Sequence, residues 1–510
     1  MTLQVPSTAN LQTYPSAPDD ATGMRWAEER RRRQMLEGVW YRLLYDWLSP
    51  MVDHRRLDKW KKLDTSKNLF ASLTSKISVL YSRPPVVFRR DNNAAALTKL
   101  TDAVSDAGLW QLAANNQQLT VGLREGAISV HTHQDKGGAT RPVYNVIPAD
   151  LLAATADPST PDEPHTMSWY RLRNTADNRP LWTRDTYSIK DLDHPWMRVE
   201  NEAGEDISKQ FPQIETYNAA NWPAALRMDG QPFIPIEMYH ALRTGKLFDP
   251  FRGIELVDGS LTMAGLWTLF QHIVRDCSHP QRWTMNAELD GVEVKDGVAS
   301  VVTDPATLLS FTTRPGVTGS AGQFDPGGDP EAIARAIQMF GSDLVAGFDL
   351  SPGDVKRVHG DARSGYAIEI TKDDQREAQK KFTPTFSRSD ISLLSKTAAM
   401  LGLPTSGWDI RYTGIPATFS ERTALIAEYE TRAQLGITSP VELLATLDDI
   451  SDVEARRRIE VFAKDRAWIA TLESEEPNNA RRNTGHSDPR RPGDDPSVET
   501  DSQEREDTTA

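Results

Sequence analysis

Two histidines, His131 and His133, stand two residues apart in a stretch whose alternating pattern predicts a β-strand. Side chains at this spacing point to the same face of a strand, so both imidazoles could bind one metal ion. No third ligand is recognisable nearby in the sequence, and a solvated strand face is the better interpretation. We therefore predict no metal site at this pair.

The single cysteine, Cys277, is followed two residues later by His279. A histidine beside a cysteine can activate it as a nucleophile by taking the thiol proton. This pair lies at the end of an apolar run, however, where a buried or interface cysteine is the better interpretation. One cysteine also excludes an internal disulfide and is typical of a reducing cytoplasm.

Two glycine-containing segments were considered as sites for phosphate binding or nucleophilic catalysis. A phosphate loop needs Gly, four residues, then Gly-Lys-Ser/Thr. Gly245-Lys246 has His240 in place of the first Gly and Leu247 in place of the Ser/Thr. The sequence GVTGSAG around Ser320 lacks the spacing of a G-x-S-x-G nucleophile elbow. The sequence thus provides no positive reason to predict an enzyme, a cofactor or a metal.

The most distinctive element is an uncharged apolar run, LTMAGLWTLFQHIV, at residues 261–274. A helix that is apolar all round its axis must be buried on more than one side, and a run of about 14 residues is too short to span a membrane. A projecting hairpin cannot bury every face against itself, which favours copies of the chain in a closed ring. An ordinary core helix is the alternative. The side chains concerned are Leu261, Leu266, Trp267, Phe270 and Ile273.

Composition indicates a soluble, acidic protein of about two to four domains. The 510 residues are 38% hydrophobic, the mean hydropathy is -0.52 and the formal net charge is -14. The N-terminus lacks the basic region and apolar core of a signal peptide. A sequence-reading DNA-binding protein usually has a basic domain, so we expect any contact with nucleic acid to be weak, local or sliding.

The basic run Arg30 to Arg33 lies in a helix predicted over about residues 24–47 and could bind nucleic acid or an acidic membrane. Glu28 and Glu29 precede the run and Glu37 follows it, so we predict a solvated helix face instead. Further along, the patterns predict strands at AISVHTH, PVYNVIP, MSWYRLR and WMRVENE, and a long helix over residues 372–402 interrupted at Pro384.

Five stretches then occur in order: NLFASLTSKISVLYSRPPVVF; GLREGAISVHTH with YNVIPADLL; FIPIEMYH with GKLFDPFRGIELVDGSL; DARSGYAIEI; and IPATFSERTALIAEYETRAQLGITSPVELL. Together they resemble the portal proteins of tailed double-stranded DNA bacteriophages, of the siphophage type. The resemblance covers about residues 25–470 and rests on the collinear set rather than on one invariant motif.

The resemblance implies an α+β portal fold, with long helices in wing, stem and crown regions and a small α/β clip, assembled as a ring. By position, the wing is 23–250 and 367–419, and the stem helices are 251–277 and 329–350. The clip is 278–328, the tunnel loop 351–366 and the crown 420–473. The N-terminus (1–22) and the acidic tail (474–510) are expected to be disordered.

The implied function is a ring, usually of about twelve subunits, at one capsid vertex. Double-stranded DNA is packaged and ejected through its channel. The implied partners are further copies of the chain, the terminase large subunit, a head–tail connector or adaptor, and the major capsid or scaffold protein. DNA passes non-specifically, and no membrane is involved. The expected localisation is the virion, at the portal vertex, with the host cytoplasm during assembly.

The resemblance also assigns three sets of residues. The five apolar side chains of the first stem helix pack between subunits. Lys356 and Arg357, with His359, contact DNA phosphates from the tunnel loop, where a solvated loop is the alternative. Arg282 and Trp283 of the clip contact terminase and head-completion proteins.

Two other functions are consistent with the sequence. One is another structural virion component, such as a connector or minor capsid protein; connectors are usually much shorter than this chain. A hydrolase with an unrecognised site would be active as a monomer and would have a polar-lined pocket.

Overall fold

The chain divides into two compact units, residues 1–415 and 416–510, in the computed structural model. The first unit mixes helices and strands, which confirms the α+β prediction. The structure describes residues 15–52, 57, 63–91, 93–134, 140–174, 180–211, 214–278, 282–289, 293–295, 298–300, 311–313, 316, 318–323, 329–346, 365–414, 419–448 and 455–467.

The first helical segment forms two helices, α1 (Asp20–Leu36) and α2 (Tyr41–Leu48), where the sequence predicted one. Asp19 caps α1, since its carboxylate accepts a hydrogen bond from the Thr22 N–H at 2.7 Å. Gly38 adopts a φ of +77° between the helices. A residue without a Cβ takes this left-handed conformation readily, so the first helix ends here.

Three more helices and a strand precede the main sheets: α3 (Leu69–Ile77), β1 (Val86–Arg89), α4 (Ala94–Asp106) and α5 (Leu109–Leu123). Asn68 caps α3 through the Ala71 N–H, and Asn93 caps α4 through the Ala96 N–H. In each case the side-chain oxygen satisfies an amide that has no partner within its helix.

Two antiparallel sheets lie at the centre of the first unit. One has the order β10-β2-β3 and the other the order β4-β5-β6-β7. Ile128 and Val130 of the first sheet belong to the core that contains α5, whereas Ala127 packs with Leu152 and Met167 of the second sheet. The strands are β2 (Glu125–Gln134), β3 (Thr140–Pro148), β4 (Leu152–Ala156), β5 (Pro164–Asn174), β6 (Pro180–Ser188), β7 (Trp196–Glu200), β8 (Arg227–Met228), β9 (Gln231–Pro232) and β10 (Ile236–His240).

A helical hairpin with a β-ladder at its far end follows β10. Its helices, α6 (Ile254–Ser278) and α7 (Pro330–Ala346), are antiparallel, because Gly259 near the start of α6 lies against Leu344 near the end of α7. Between the helices the chain runs outward through three short strands and returns through three, and all regular structure among the described residues there is β. The pairs are β11 (Arg282–Met285) with β16 (Ser320–Gln323), β12 (Ala287–Leu289) with β15 (Phe311–Thr313), and β13 (Glu293–Lys295) with β14 (Val298–Ser300).

The long helix α8 (Gly365–Met400) covers the free edge of β10. Ser389 Oγ donates to the Met238 carbonyl at 3.0 Å, and Lys396 Nζ donates to the Ile236 carbonyl at 2.8 Å. These bonds satisfy edge carbonyls that could otherwise pair with another chain. The helix continues through Pro384, where the sequence predicted an interruption. The buried rings of Phe382 and Phe386 hold the helix against the core on both sides of the proline.

A buried carboxylate joins α8 to three other segments. Asp390 is 2% exposed and accepts hydrogen bonds from the hydroxyls of Tyr81, Tyr239 and Tyr412 at 2.8, 2.8 and 2.6 Å. Tyr412 follows β17 (Trp408–Arg411), which pairs antiparallel with β1. The cluster thus connects parts of the chain that are far apart in sequence.

The second unit contains α9 (Phe419–Gln434), α10 (Pro440–Asp448) and α11 (455–467). The start of α10 is capped by Ser439, whose Oγ accepts a hydrogen bond from the Glu442 N–H at 3.2 Å. Over the part of the chain that the structure describes, no helix combines the length and apolarity that crossing a bilayer requires.

Candidate inter-subunit and DNA-contact regions

One side of α6 packs against the N-terminal helices of its own chain. Leu261, Val257 and Ala264 share a buried cluster with Leu44 and Leu48 of α2. Next to this cluster, Gly265 allows the indole of Trp47 to approach the helix backbone so closely that a Cβ would overlap the ring. The sequence pattern showed the apolar residues but not which segment covers them.

The other side of α6 packs against α3 and α7. Leu266, Trp267 and Phe270 are half-buried against a cluster that contains Leu73 and Ile337. The Trp267 and Phe270 rings meet edge to face, with centroids 5.3 Å apart. Ile273, further along the helix, is half-buried and belongs to none of the buried core clusters among the described residues.

These contacts affect the prediction that α6 is buried between the subunits of a ring. Leu261 is buried within one chain, so the burial of this side chain does not require a second subunit. The half-buried Leu266, Trp267, Phe270 and Ile273 keep accessible surface. Their role between subunits stays a prediction.

The most exposed large apolar side chains of the hairpin lie instead on α7. Met339 is the most exposed of them at 67%, and Phe340 is 37% exposed, as is Val274 of α6, whereas Ile337 and Val345 on the opposite side of α7 are buried. Ala336 is also exposed, one helical turn before the pair. Sequence reasoning placed these residues in a helix but did not identify them as a surface, because the facing partner decides which side of α7 is covered.

The two other predicted regions are located only in part. Arg282 and Trp283 lie on β11, opposite Gln323 and Gly322 of β16, and their side chains are outside the described residues. Lys356, Arg357 and His359, together with the rest of the predicted tunnel loop up to residue 364, also lie outside the described residues.

The arginine run of α1 is not a solvated face, contrary to the prediction. Arg32 is 1% exposed, and its Nε donates to Glu28 at 2.8 Å. Arg33 pairs with the buried carboxylate of Asp150 at 3.0 Å. Arg30 and Arg31 are half-buried. The prediction failed because some partners of these arginines, Asp150 and Asp258, come from distant parts of the chain.

A second arginine–carboxyl pair of α1 is also buried. Arg25 Nη1 lies 3.0 and 2.9 Å from the two carboxylate oxygens of Glu29, which is fully buried. Burial raises the pKa of Glu29 to about 8, against the opposing effect of Arg25. Burial likewise raises the pKa of Glu125 to about 8 and that of Asp150 to about 6. Several carboxyl groups of this cluster thus hold protons more strongly than they would in water.

A cleft of about 1590 Å³ opens beside this cluster. Arg32, Arg124 and Arg252 line it together with lysines of α8, and acidic side chains from α6 and α7 also face it. Arg124 has a φ of +83°, which is unusual for a residue with a side chain. The mixed charge of the cleft does not single out a class of ligand.

The two histidines considered for metal binding, His131 and His133, are exposed on β2. Within the described ranges, no three His, Cys, Asp or Glu side chains are grouped in a way that could hold a metal ion. Cys277 lies in the last turn of α6, and the position of its side chain is outside the described residues.

Of the comparisons with known proteins, the one with solved structures found similar chains. The sequence matches no family model, and no curated protein is significantly similar to it. One similar structure is a chain in the neck of an empty gene transfer agent (GTA) particle. It is 12% identical with a TM-score of 0.38, over 73% of this chain and 91% of that chain. Another, in the virion of a native GTA particle, is 12% identical with a TM-score of 0.35, over 76% of this chain and 91% of that chain. Likeness at these levels is below that at which a shared function follows.

Proposed function

We propose that this chain is the portal subunit of a tailed, phage-like particle. In this proposal about twelve copies form a closed ring at one vertex of the capsid. Double-stranded DNA enters and leaves through the channel of the ring. The chain is a structural component of the virion, and ATP hydrolysis for packaging belongs to the terminase that docks on it.

The observation that carries the proposal is the apolar surface of α7. Met339 and Phe340 project from a helix whose other side is already packed on α6, so the single chain leaves this surface in water. A contiguous patch of exposed apolar side chains is typical of an interaction site in a soluble protein. A copy of the same hairpin is the partner that a heterologous, closing interface supplies.

The rest of the chain is consistent with such a conduit. The β-ladder between α6 and α7 lies where the resemblance puts the clip, so the proposal assigns terminase and connector contacts to it, through Arg282 and Trp283. The net charge of -14 favours sliding over tight binding of DNA. The proposal places Lys356, Arg357 and His359 beside the DNA and retains the connector and capsid or scaffold proteins as partners.

The test is the assembly of the purified full-length chain, by native mass spectrometry and negative-stain images. The unchanged chain should form rings of about twelve subunits with a central hole. The double variant Met339→Glu with Phe340→Glu should stay folded and lose the rings, because burying two carboxylates at an apolar contact is costly.

Leu192→Glu is the matched control, since Leu192 is 50% exposed but lies outside the hairpin. It should assemble like the unchanged chain. Rings of unchanged abundance in the Met339/Phe340 variant would show that α7 is not the contact. An unchanged chain that stays monomeric alone and with its capsid partners would reject the portal proposal.

A further inference from the structure

The loop that leads from β10 into α6, residues 241–253, contains two glycines in a left-handed conformation. Gly245 and Gly253 adopt φ values of +74° and +76°, where only glycine rotates without strain. No atom lies within 4 Å of where a Cβ on Gly245 would be. The direction in which α6 leaves the sheets therefore depends on what holds this loop.

Two buried polar side chains, Arg32 and Glu125, hold the end of the loop. Arg32 of α1 donates from Nη2 to the Arg252 carbonyl and from Nη1 to the Gly122 carbonyl at the end of α5, both at 3.2 Å. Glu125 of β2 is 2% exposed and accepts a hydrogen bond from the Asp249 N–H at 2.8 Å. The hydrogen bonds of the Arg32 guanidinium are charge-assisted, so they are stronger than neutral ones and hold their partners in a defined geometry.

Helix α1 also reaches α6 directly, since Arg31 pairs with Asp258 in the second turn of α6. At the opposite end of α1, Arg25 Nη2 and Trp26 Nε1 both donate to the Leu152 carbonyl, at 2.6 and 3.2 Å. Thus α1 is fixed to the second sheet at its beginning and to the start of α6 near its end.

The start of α6 has space beside it. The cleft of about 1590 Å³ is lined by Arg252, Gly253 and Glu255 on one side and by Lys380 and Lys381 of α8 on another. The cleft thus leaves open space on one side of the start of α6, whereas Val257 and Leu261 pack against α2 on another.

We propose that residues 241–253 are a hinge and that Arg32 and Glu125 are positioning residues that lock it, with α1 as the strut between the sheets and α6. This inference goes beyond the proposed function and rests on it in one respect. If the chain is a ring subunit, the lock sets the angle of the α6–α7 hairpin relative to the rest of its own subunit.

Hydrogen–deuterium exchange of the full chain tests the lock. In Arg32→Met, amides of residues 249–260 should exchange about tenfold to a hundredfold faster, as loss of a buried charge-assisted hydrogen bond allows local opening. Amides of α4 and of β5 and β6 should not change. Arg32→Lys should give a smaller increase in the same amides, because the ammonium keeps the charge but lacks the rigid planar fork with which the guanidinium reaches both carbonyls.

The matched control is Arg42→Met, on the neighbouring helix α2, where the side chain is 77% exposed and pairs only within its own helix. It should leave residues 249–260 unchanged. Faster exchange over the whole molecule in both Arg32 variants, or no faster exchange at the hinge, would overturn the proposal.

A second test exchanges the two charges of the partly exposed ion pair between Arg31 and Asp258. Arg31→Asp and Asp258→Arg should each accelerate exchange in residues 254–260, and the double variant should restore the original rate. A double variant as fast as the single ones would count against the strut. Hydrogen–deuterium exchange can be measured whether or not the chain assembles. A chain that forms rings but shows no faster exchange in these variants therefore refutes only the hinge. A chain with the response but without rings refutes the portal alone.

Discussion

The carboxylate of Asp390 satisfies three tyrosine hydroxyls in a site closed to water. Burial raises its pKa to about 6, although the hydrogen bonds from Tyr412, Tyr81 and Tyr239 oppose the shift. Each hydroxyl would lose its acceptor if the carboxylate were removed. The residue therefore stabilises the junction of α8, β10 and β17 through partners that no local pattern connects.

We predict that Asp390→Ala lowers the free energy of unfolding by about 3 kcal/mol or more, since unsatisfied buried hydroxyls cost about 1–3 kcal/mol each and a cavity remains. Urea unfolding, followed by tryptophan fluorescence, measures the change. Asp409→Ala is the control, because Asp409 is half-buried and pairs with the exposed Arg90. Equal losses in the two variants would contradict the assigned role of the tyrosine cluster.

The buried acids of the α1 cluster predict how stability changes with pH. The pKa values of Glu29 and Glu125 are raised from 4.5 to about 8, so the unfolded chain loses these protons before the folded chain does. Stability must then fall as pH rises from 4.5 to 8, by on the order of 1 kcal/mol per pH unit for each group. Asp150 and Asp390, each with a pKa raised to about 6, act in the same direction below pH 6.

His240 acts in the opposite direction, because burial lowers its pKa from 6.5 to about 4 and stability rises across that range. The window from pH 6.5 to 8 therefore isolates the two glutamates. We expect urea midpoints to decrease through this window in the unchanged chain and to stay nearly level in the double variant Glu29→Gln with Glu125→Gln. The same slope in both proteins would exclude these carboxyl groups as its source.

At the scale of the element, glycines in α6 determine where neighbouring helices can pack closely. A Cβ on Gly265 would lie less than 3.0 Å from three atoms of the Trp47 ring, and a Cβ on Gly259 would overlap the more flexible Leu344. Helix interiors disfavour glycine. At these two positions it allows α2 and α7 to pack closely on α6.

Gly265→Ala should therefore destabilise the protein by about 1–3 kcal/mol through overpacking, although the same change in an exposed helix is stabilising by about 1 kcal/mol. In a Trp47→Ala background the alanine should become neutral or favourable, because the ring that it would meet is gone. Thermal unfolding of the four proteins of this cycle gives the coupling. Additive effects of the two changes would mean that the helices do not meet at this point.

At the scale of the whole molecule, like charge opposes assembly. Each chain carries a net charge of -14, so copies repel each other at low ionic strength. An apolar contact through Met339 and Phe340 is not weakened by salt. If the rings form as proposed, their fraction should rise with NaCl as the Debye length falls from about 10 Å at 0.1 M to about 3 Å at 1 M. Sedimentation velocity at one protein concentration measures it, and rings that dissociate in salt would point to ionic contacts instead.

Local signals were sufficient for much of the secondary structure. The apolar run of α6 and the strand patterns at β2, β3, β5 and β7 all describe interactions between residues close in sequence. Strand β6 was missed, because Trp182, Arg184 and Tyr187 interrupt the simple alternation of its sequence. The break between α1 and α2 depends on the left-handed conformation of one residue, Gly38, and the sequence around it is also compatible with one continuous helix.

The α+β class, the acidic charge and the presence of a long apolar helix followed by a β-rich excursion were therefore properties of the chain's own local pattern. The segments that pack against these elements were not determined by the local pattern. Arg32 is buried because carbonyls at Gly122 and Arg252, 90 and 220 residues away, accept its hydrogen bonds. Leu261 is covered and Met339 is exposed for the same reason: burial depends on which distant segment packs on each side of a helix, and periodicity shows only that a side is apolar.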